Sequence, residues 1–230
     1  MTDWASILTG KTKIHLVPCR EIISKLINIE VHDDLRNLIR AGKKAGFSIA
    51  AASSFRSFEG QLSIWNKKAT GLKALLDEEG RALDFATLSA KEVVASIMRW
   101  SAIPGCSRHH WGSDIDVYDL NSLPYPGYKV ELTPAEVADG GPFGAFHRWL
   151  DEEMERPDFP FFRPYAESLG GVSPERWHIS HIGVGMDYLD RFTFELFLQT
   201  IETASLEKKE IVLESALEIY QRFITNISPP

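Results

Sequence analysis

Cysteine is nearly missing from this chain: among 230 residues only Cys19 and Cys106 carry a thiol. Two thiols build neither a disulfide scaffold nor a cysteine-based structural zinc site, so both are read as buried free thiols. No run of lysine and arginine is dense enough to track a phosphate backbone, and a formal net charge of -7 gives no general attraction for a polyanion. Nucleic acid is therefore not an expected partner. Nothing approaches a membrane span in length, and the first ten residues, MTDWASILTG, hold neither a basic leader nor an apolar run of signal-peptide size. The expected location is the cytoplasm, or the periplasm or exterior if a leader was removed. Internal repeats and low-complexity tracts are missing too, which makes one continuous catalytic unit over residues 1–230 the expected organisation.

What remains is a composition of 44% hydrophobic and 25% charged residues, that of a folded domain and not of a disordered chain. The apolar spacing of Leu35, Leu38, Ile39 and Ala41 predicts a helix over 33–45, ending at Gly46. A short buried strand is expected over 47–52, then a turn and a helix through about Lys68 that leaves Arg56 at a strand edge. Residues 72–88 read as a surface excursion, 90–100 as a helix and 103–107 as a loop. Gly112 to Tyr118, alternating small or apolar residues with Asp114 and Asp116, predicts a strand with one polar face, followed by a loop over 121–132. Thr133, Pro134 and Glu136 fit a capping box at a helix start, and a further helix is expected over 143–155. Arg176 to Ser180 predicts another strand. Two helices are expected at the end, over 186–203 and 206–227, the last with a core stripe of Leu213, Ala216, Leu217, Tyr220 and Ile224.

Chemistry concentrates in two places. The segment SRHHWGSDID sets Ser107, His109, Gly112 and Asp116 at fixed offsets, and ERWH brings Glu175 and His178 later in the chain. A catalytic zinc takes three His or carboxylate ligands and keeps one position open for a water whose pKa it lowers. His109, Asp116 and His178 satisfy that count. The water needs a group to take its proton, and Glu175, three residues before His178, suits the task. Side chains three apart on a regular strand face opposite ways. Glu175 is therefore expected in the loop after Pro174 or at a bulge, with only His178 inside the strand.

These residues carry a resemblance to a known family. Ser107 to Asp116 reads Ser-x-His-x-x-Gly-x-x-x-Asp, Glu175 to His178 reads Glu-x-x-His, and SSFRSFEGQ looks like Ser-x-x-Arg-Ser-x-x-x-Gln. Over roughly Leu35 to Ile182 the chain resembles the VanY-type D-alanyl-D-alanine carboxypeptidases, relatives of the lysostaphin and hedgehog zinc fold. The resemblance implies an α+β fold: a small, mostly antiparallel sheet carrying the zinc site, flanked by helices, with a C-terminal helical extension. It implies one Zn2+ held by His109, Asp116 and His178, with Glu175 as general base. Arg56 would meet the substrate's terminal carboxylate, for which a guanidinium's fork of donors is suited, and Gln61 and Ser107 would hydrogen-bond the substrate's end and its peptide carbonyl. The implied substrate is a peptidoglycan stem peptide losing D-alanine.

Without a leader the accessible substrates are turnover fragments, which favours an L,D-carboxypeptidase acting on tetrapeptides. The alternatives are a D,D-carboxypeptidase on pentapeptides, a wall endopeptidase, and a zinc-binding module without catalysis. Asp114 departs from many relatives, which have a small residue there; it either orients a site residue or pairs with a nearby arginine. His110 and His181 are expected to serve structure or substrate contact, and His15, His32 and His147 to be surface or capping residues. Trp111 and Trp177 are expected to shape a dry metal pocket, Trp65 and Trp100 to be helix core, and Ser107 has the alternative of capping a turn.

Overall fold

The computed structural model describes residues 2–22 and 25–230. In chain order the elements are α1 (Trp4–Leu8), β1 (Leu16–Cys19), β2 (Lys25–Asn28), α2 (His32–Lys44), β3 (Ile49–Ser53), α3 (Phe58–Ala69), α4 (Ala90–Trp100) and β4 (Asp114–Asp119). They continue with α5 (Pro134–Val137), α6 (Gly144–Met154), β5 (Phe161–Phe162), β6 (His178–His181), α7 (Ile182–Arg191), α8 (Phe194–Thr203), α9 (Lys209–Glu214) and α10 (Ala216–Ile219). Strands β1 and β2 pair as a hairpin, and β3-β4-β6-β5 form an antiparallel sheet of four. The mixed α+β architecture expected from the sequence is the one observed.

The central strand β4 is buried on both faces, and its two periodic halves do different work. Ile115 and Val117, with Ile179 of β6, are 0% exposed and join the apolar core with Leu35 of α2, Trp65 of α3 and Ile97 of α4. Asp114 and Asp116 project from the other face. In the β4–β6 ladder Asp114 stands opposite Ser180 and Asp116 opposite His178. Directly opposed residues of an antiparallel pair share a face, so this register alone gathers Asp114, Asp116, His178 and Ser180 on one side. On the β3 side the ladder is irregular between Ala51 and Ser53, just before the chain turns towards Arg56.

Local signals explain the helix starts. The Ser57 hydroxyl accepts the Gly60 N–H at 3.2 Å to open α3, and Ser89 and Glu92 form a reciprocal capping box at α4. At α5 the Glu136 carboxylate reaches back to the Thr133 N–H at 3.1 Å. Among the described residues no helix is long and apolar enough to cross a membrane.

Three expectations are corrected. The predicted helix over 186–203 begins at Ile182 and breaks after Arg191, because Thr193 caps a new helix by accepting the Leu196 N–H at 3.2 Å. The predicted helix over 206–227 is three short pieces, α9, α10 and a wider π turn over Tyr220–Ile224. The interruption at Ser215 rotates the stripe, so Val212, Ala216 and Ile219 are buried while Leu217 is 55% exposed. The excursion over 72–88 exposes Leu72 but buries Leu75, which anchors it to the core.

His147, expected at the surface, lies on the inner face of α6 at 0% exposure, against Phe146, with no hydrogen-bond partner for either ring nitrogen among the described residues. Burial, reinforced by Arg163 and Arg176, pushes its pKa down to about 2. The folded protein thus keeps this imidazole neutral where the unfolded chain protonates it, so stability falls as pH drops below the unfolded value of about 6.5. By about pH 5 the loss from His147 is about 2 kcal/mol. Urea unfolding of the wild type and His147→Gln at neutral and acid pH is expected to show a shallower pH slope in the variant; equal slopes would mean that His147 is protonated in the fold.

Candidate metal centre

The turn before β4 brings the first histidine to the sheet. Arg108–Trp111 forms a short 3-10 turn that ends at Gly112 with φ of 69°. A β-carbon at this glycine would sit 2.6 Å from Leu16 Cδ2 and 2.7 Å from the Asn28 nitrogen. Both the left-handed backbone and the close approach of the β2 end therefore require glycine, and the Asn28 N–H donates to the Gly112 carbonyl at 2.9 Å. Folded back in this way, His109 places Nδ1 3.0 Å from the Asp114 carbonyl.

Three donor atoms converge from these elements. His109 Nε2 is 3.3 Å from Asp116 Oδ2, and His178 Nδ1 is 3.3 Å from Asp116 Oδ1. The ligand atoms of this buried trio all lie within 4.8 Å of one another. The far side of each ring is engaged: His109 Nδ1 donates to the Asp114 carbonyl, and His178 Nε2 meets Asp114 Oδ1 at 3.0 Å. Those bonds select the tautomers that leave His109 Nε2 and His178 Nδ1 with lone pairs aimed at one point.

Electrostatics supports the same assignment. Burial opposes charge on His178, yet the hydrogen bond to Asp114 and the adjacent Asp116 and Glu175 carboxylates carry its pKa well above the ordinary histidine value. Burial likewise opposes charge on Asp116, but His109 and His178 hold its carboxyl well below the usual carboxylate range. Asp116 Oδ1 is buried without a hydrogen-bond donor. A divalent cation bound there would take the place of the proton that these carboxylates draw onto His178. Two imidazoles, one carboxylate and an open side towards a cavity fit zinc.

Asp114 fulfils both readings that the sequence left open. Fully buried, it accepts from Arg108 Nε at 2.7 Å and from the Ser113 hydroxyl at 2.6 Å while it orients His178. Arg108 also donates to Ser180 Oγ at 2.6 Å and lies over the Trp111 ring.

Glu175 lies outside β6. Its N–H donates to the Tyr165 carbonyl, and its own carbonyl accepts the His178 N–H at 3.0 Å, closing a turn. This turn brings Glu175 Oε2 to 3.2 Å from His178 Nδ1, despite a spacing that a regular strand would send to the opposite face.

A cavity of about 540 Å3 opens on the trio and takes in Arg56, Ser107, Glu175 and Trp177. Arg56 directs Nη1 to Gln61 Oε1 at 2.7 Å and Nη2 to Ser53 Oγ at 2.9 Å. Gln61 does not line this cavity. It is fully buried beneath Arg56, its amide nitrogen donating to the Ala102 carbonyl and Ser101 Oγ, because its place one turn into α3 points it at the α4 end. Ser107 makes no capping bond to the turn it precedes, and it faces the cavity.

The other candidates sort by contact. His110 is buried at 0%, binding the Gly105 N–H through Nε2 and the Arg56 carbonyl through Nδ1. His181 caps α7 and meets Asp34. Trp111 packs in the core with its N–H on the Leu8 carbonyl and does not shape the metal pocket. Trp100 is not helix core: at the α4 end it stacks on Trp177, and both form cavity wall. Lys68 and Tyr165, which sequence reading passed over, line the cavity as well. Lys68 shares a helical stripe with Gln61, but only the packing of α3 sets it at the cavity, and Tyr165 carries no local signal.

Comparison with known proteins agrees with this geometry. A family model described as D-alanyl-D-alanine carboxypeptidase, VanY, matches residues 24–184. A D-alanyl-D-alanine carboxypeptidase of Enterococcus faecalis is 28% identical over 161 residues, 69% of this chain and 49% of that protein, so the match spans about half of the relative's length. A variant of the vancomycin resistance D,D-pentapeptidase VanY in complex with Zn(II) superimposes with a TM-score of 0.51 at 23% identity, covering 86% of this chain and 88% of that one. The LD-carboxypeptidase LdcB gives 0.52 at 22%, covering 80% and 77%. At such identities the structural likeness is one of fold.

Asp114→Asn tests the support of the metal ligands. The variant is expected to bind zinc about 10- to 100-fold more weakly, read by competition with a chromogenic chelator. It is also expected to lose about 3 kcal/mol of stability through the stranded Arg108 charge. Unchanged zinc affinity would show that His178 holds its orientation without Asp114.

Proposed function

Because the chain belongs to the VanY D-alanyl-D-alanine carboxypeptidase family, we propose that it is a zinc-dependent carboxypeptidase removing the terminal D-alanine of peptidoglycan stem peptides. The observation that carries this reading is the meeting, in one cavity, of the His109, Asp116 and His178 donor atoms with the Glu175 carboxylate and the Arg56 guanidinium. Bound there, zinc supplies Lewis-acid polarisation of the scissile carbonyl and a water of lowered pKa.

The remaining chemistry belongs to the chain. Glu175, beside the ligand cluster but outside the rigid strand, takes a proton from the attacking water and hands it to the departing amine. Gln61 and Ser53 hold two edges of the Arg56 guanidinium, which leaves its other N–H groups for the free carboxylate of the substrate. His110 fixes the Arg56 backbone from beneath. Gln61 thereby serves the substrate's end through Arg56, while the Ser107 hydroxyl is placed for the peptide carbonyl. The stacked Trp100 and Trp177 shield one wall from water, which strengthens every charge interaction inside.

A guanidinium held ready for a chain terminus favours a carboxypeptidase over an endopeptidase, whose substrate has no carboxylate at that place. Glu175 beside the ligands favours catalysis over a zinc-binding module. Within carboxypeptidases we favour L,D-cleavage of tetrapeptides. The cavity continues past the ligands to Lys73, Lys129 and Glu131, room for a long side chain on the acyl side where a D,D-substrate offers only a methyl group. The second reading is D,D-cleavage of pentapeptides, which the name of the Enterococcus faecalis relative favours.

Mass spectrometry of tetrapeptide and pentapeptide muropeptides incubated with the zinc-loaded protein separates the readings. Loss of one alanine from the tetrapeptide is the expected result. Loss only from the pentapeptide moves the assignment to D,D, internal cleavage to an endopeptidase, and no product to a binding module. Glu175→Gln is expected to abolish turnover while about one zinc per chain remains bound; wild-type turnover in that variant would remove Glu175 from its assigned role.

A further inference from the structure

A lysine whose side chain is largely buried faces the same cavity without an anion of its own. Lys68, in the last turn of α3, is 8% exposed. Among the described residues its Nζ forms no ion pair or hydrogen bond, although it lines the cavity with Arg56 and Glu175. Removing an ammonium from water is costly unless a partner compensates it. The surroundings compensate poorly: burial, then Lys73, lower its pKa to about 8, Arg56 adds repulsion, and Glu175 is the single attractive charge among these causes.

Helix geometry explains how the lysine reaches this place. Gln61 and Lys68 are two turns apart on α3 and share a face. The stripe that steadies Arg56 through Gln61 therefore also presents Lys68 to the cavity. Arg56 itself is balanced by Asp116 and Glu175, and Arg108 is engaged by Asp114. What remains is excess positive charge: Lys68, Lys73 and Lys129 all line the cavity, with Glu131 as the one further carboxylate. This occurs in a chain whose net charge is -7.

We infer that Lys68 is a specificity-determining residue that receives a carboxylate of the peptide substrate, an anionic contact additional to the ligand cluster and distinct from Arg56. The inference rests on the carboxypeptidase reading for the kind of ligand. Such a peptide offers the carboxylate from two sources, its free terminus or an acidic group on the acyl side of the scissile bond. Either supplies the counter-charge that the protein withholds, and a charge-assisted hydrogen bond in a dry wall discriminates strongly against the neutral analogue.

The test uses zinc-loaded protein and three versions of one synthetic stem peptide: both carboxylates free, the terminus amidated, or the acyl-side carboxylate amidated. Calorimetric binding is measured in the Glu175→Gln background, which suppresses turnover, with Lys68 retained or replaced by Met or Arg. Lys68→Met is expected to weaken binding of the fully free peptide by about 10- to 100-fold. That loss should vanish for the one amide lacking the carboxylate Lys68 receives, as in a double-mutant cycle, and the amide concerned names the source. Lys68→Arg is expected to retain most of the affinity, with zinc content and melting temperature confirming a folded protein in each case. Equal losses on all three peptides would overturn the inference, as would unchanged binding; a displaced pH profile of kcat in Lys68→Met with Glu175 retained would then make Lys68 a modulator of Glu175. If the active protein binds these peptides with the Lys68 pattern yet cleaves none of them, the carboxypeptidase reading fails and the carboxylate contact stands; if no peptide binds, both fail.

Discussion

The carboxylate of Asp114 is the point on which the centre turns. Its side chain orients His178 and its backbone carbonyl orients His109, so one residue sets both imidazoles. Uncompensated, a carboxylate at 0% exposure is destabilising by several kcal/mol. Arg108 and Ser113 remove that penalty with bonds of 2.7 Å and 2.6 Å. Arg108 then spans the ladder, bonding Asp114 on β4 and Ser180 opposite it on β6. The ion pair therefore fixes the strand register as well as the charge. A slip of one residue would turn Asp116 and His178 to opposite faces, and the donor cluster would cease to exist.

Around this anionic centre the charges change sign. Asp114, Asp116 and Glu175 crowd one imidazole, while Arg56, Lys68, Lys73 and Lys129 line the cavity in front. The arrangement separates two charges: the carboxylates concentrate around the candidate metal position, and the cations concentrate where, under the proposed function, an anionic substrate would arrive. Screening in bulk water would blur such a division over a Debye length of about 10 Å. The half-buried position of Arg56 and the largely buried side chain of Lys68 keep it sharp.

Sequence made the ligand residues legible because their chemistry is local: two histidines and an aspartate at fixed offsets, with a glycine whose left-handed turn the fold requires. It also placed Glu175 outside the strand, since the two-residue period of a strand is a geometric rule that needs no knowledge of the partner. What escaped depends on which neighbour a face meets. Trp100 and Lys68 lie on helices whose periodicity is plain, yet only the packing of α3 against the α4 end decides that they border a cavity. His147 sits on an ordinary helical stripe, and nothing nearby in sequence reveals that its imidazole is sealed at 0% exposure. The helix breaks at Thr193 and Ser215 failed for another reason: a capping residue within an apolar pattern competes with continuation, and tertiary contacts choose between them.

The division of Glu175 and His178 between turn and strand has a physical logic. A metal ligand is most effective when its position is over-determined, and His178 has a ladder partner, a carboxylate behind it and a second carboxylate beside it. A proton carrier has the opposite need, since it must face the attacking water at one moment and the leaving amine at the next. Glu175 has its backbone fixed outside the ladder, through Tyr165 and the turn to His178, and its carboxylate approaches the ligand cluster from there, 3.2 Å from His178 Nδ1. Moving Glu175 into the strand would send its side chain to the apolar face with Ile179. Moving His178 into the turn would remove the ladder pairing that sets it opposite Asp116. Under the proposed function, the three-residue spacing of the Glu-x-x-His segment would let one short stretch supply a rigid ligand from the strand and a base from the turn to the same point.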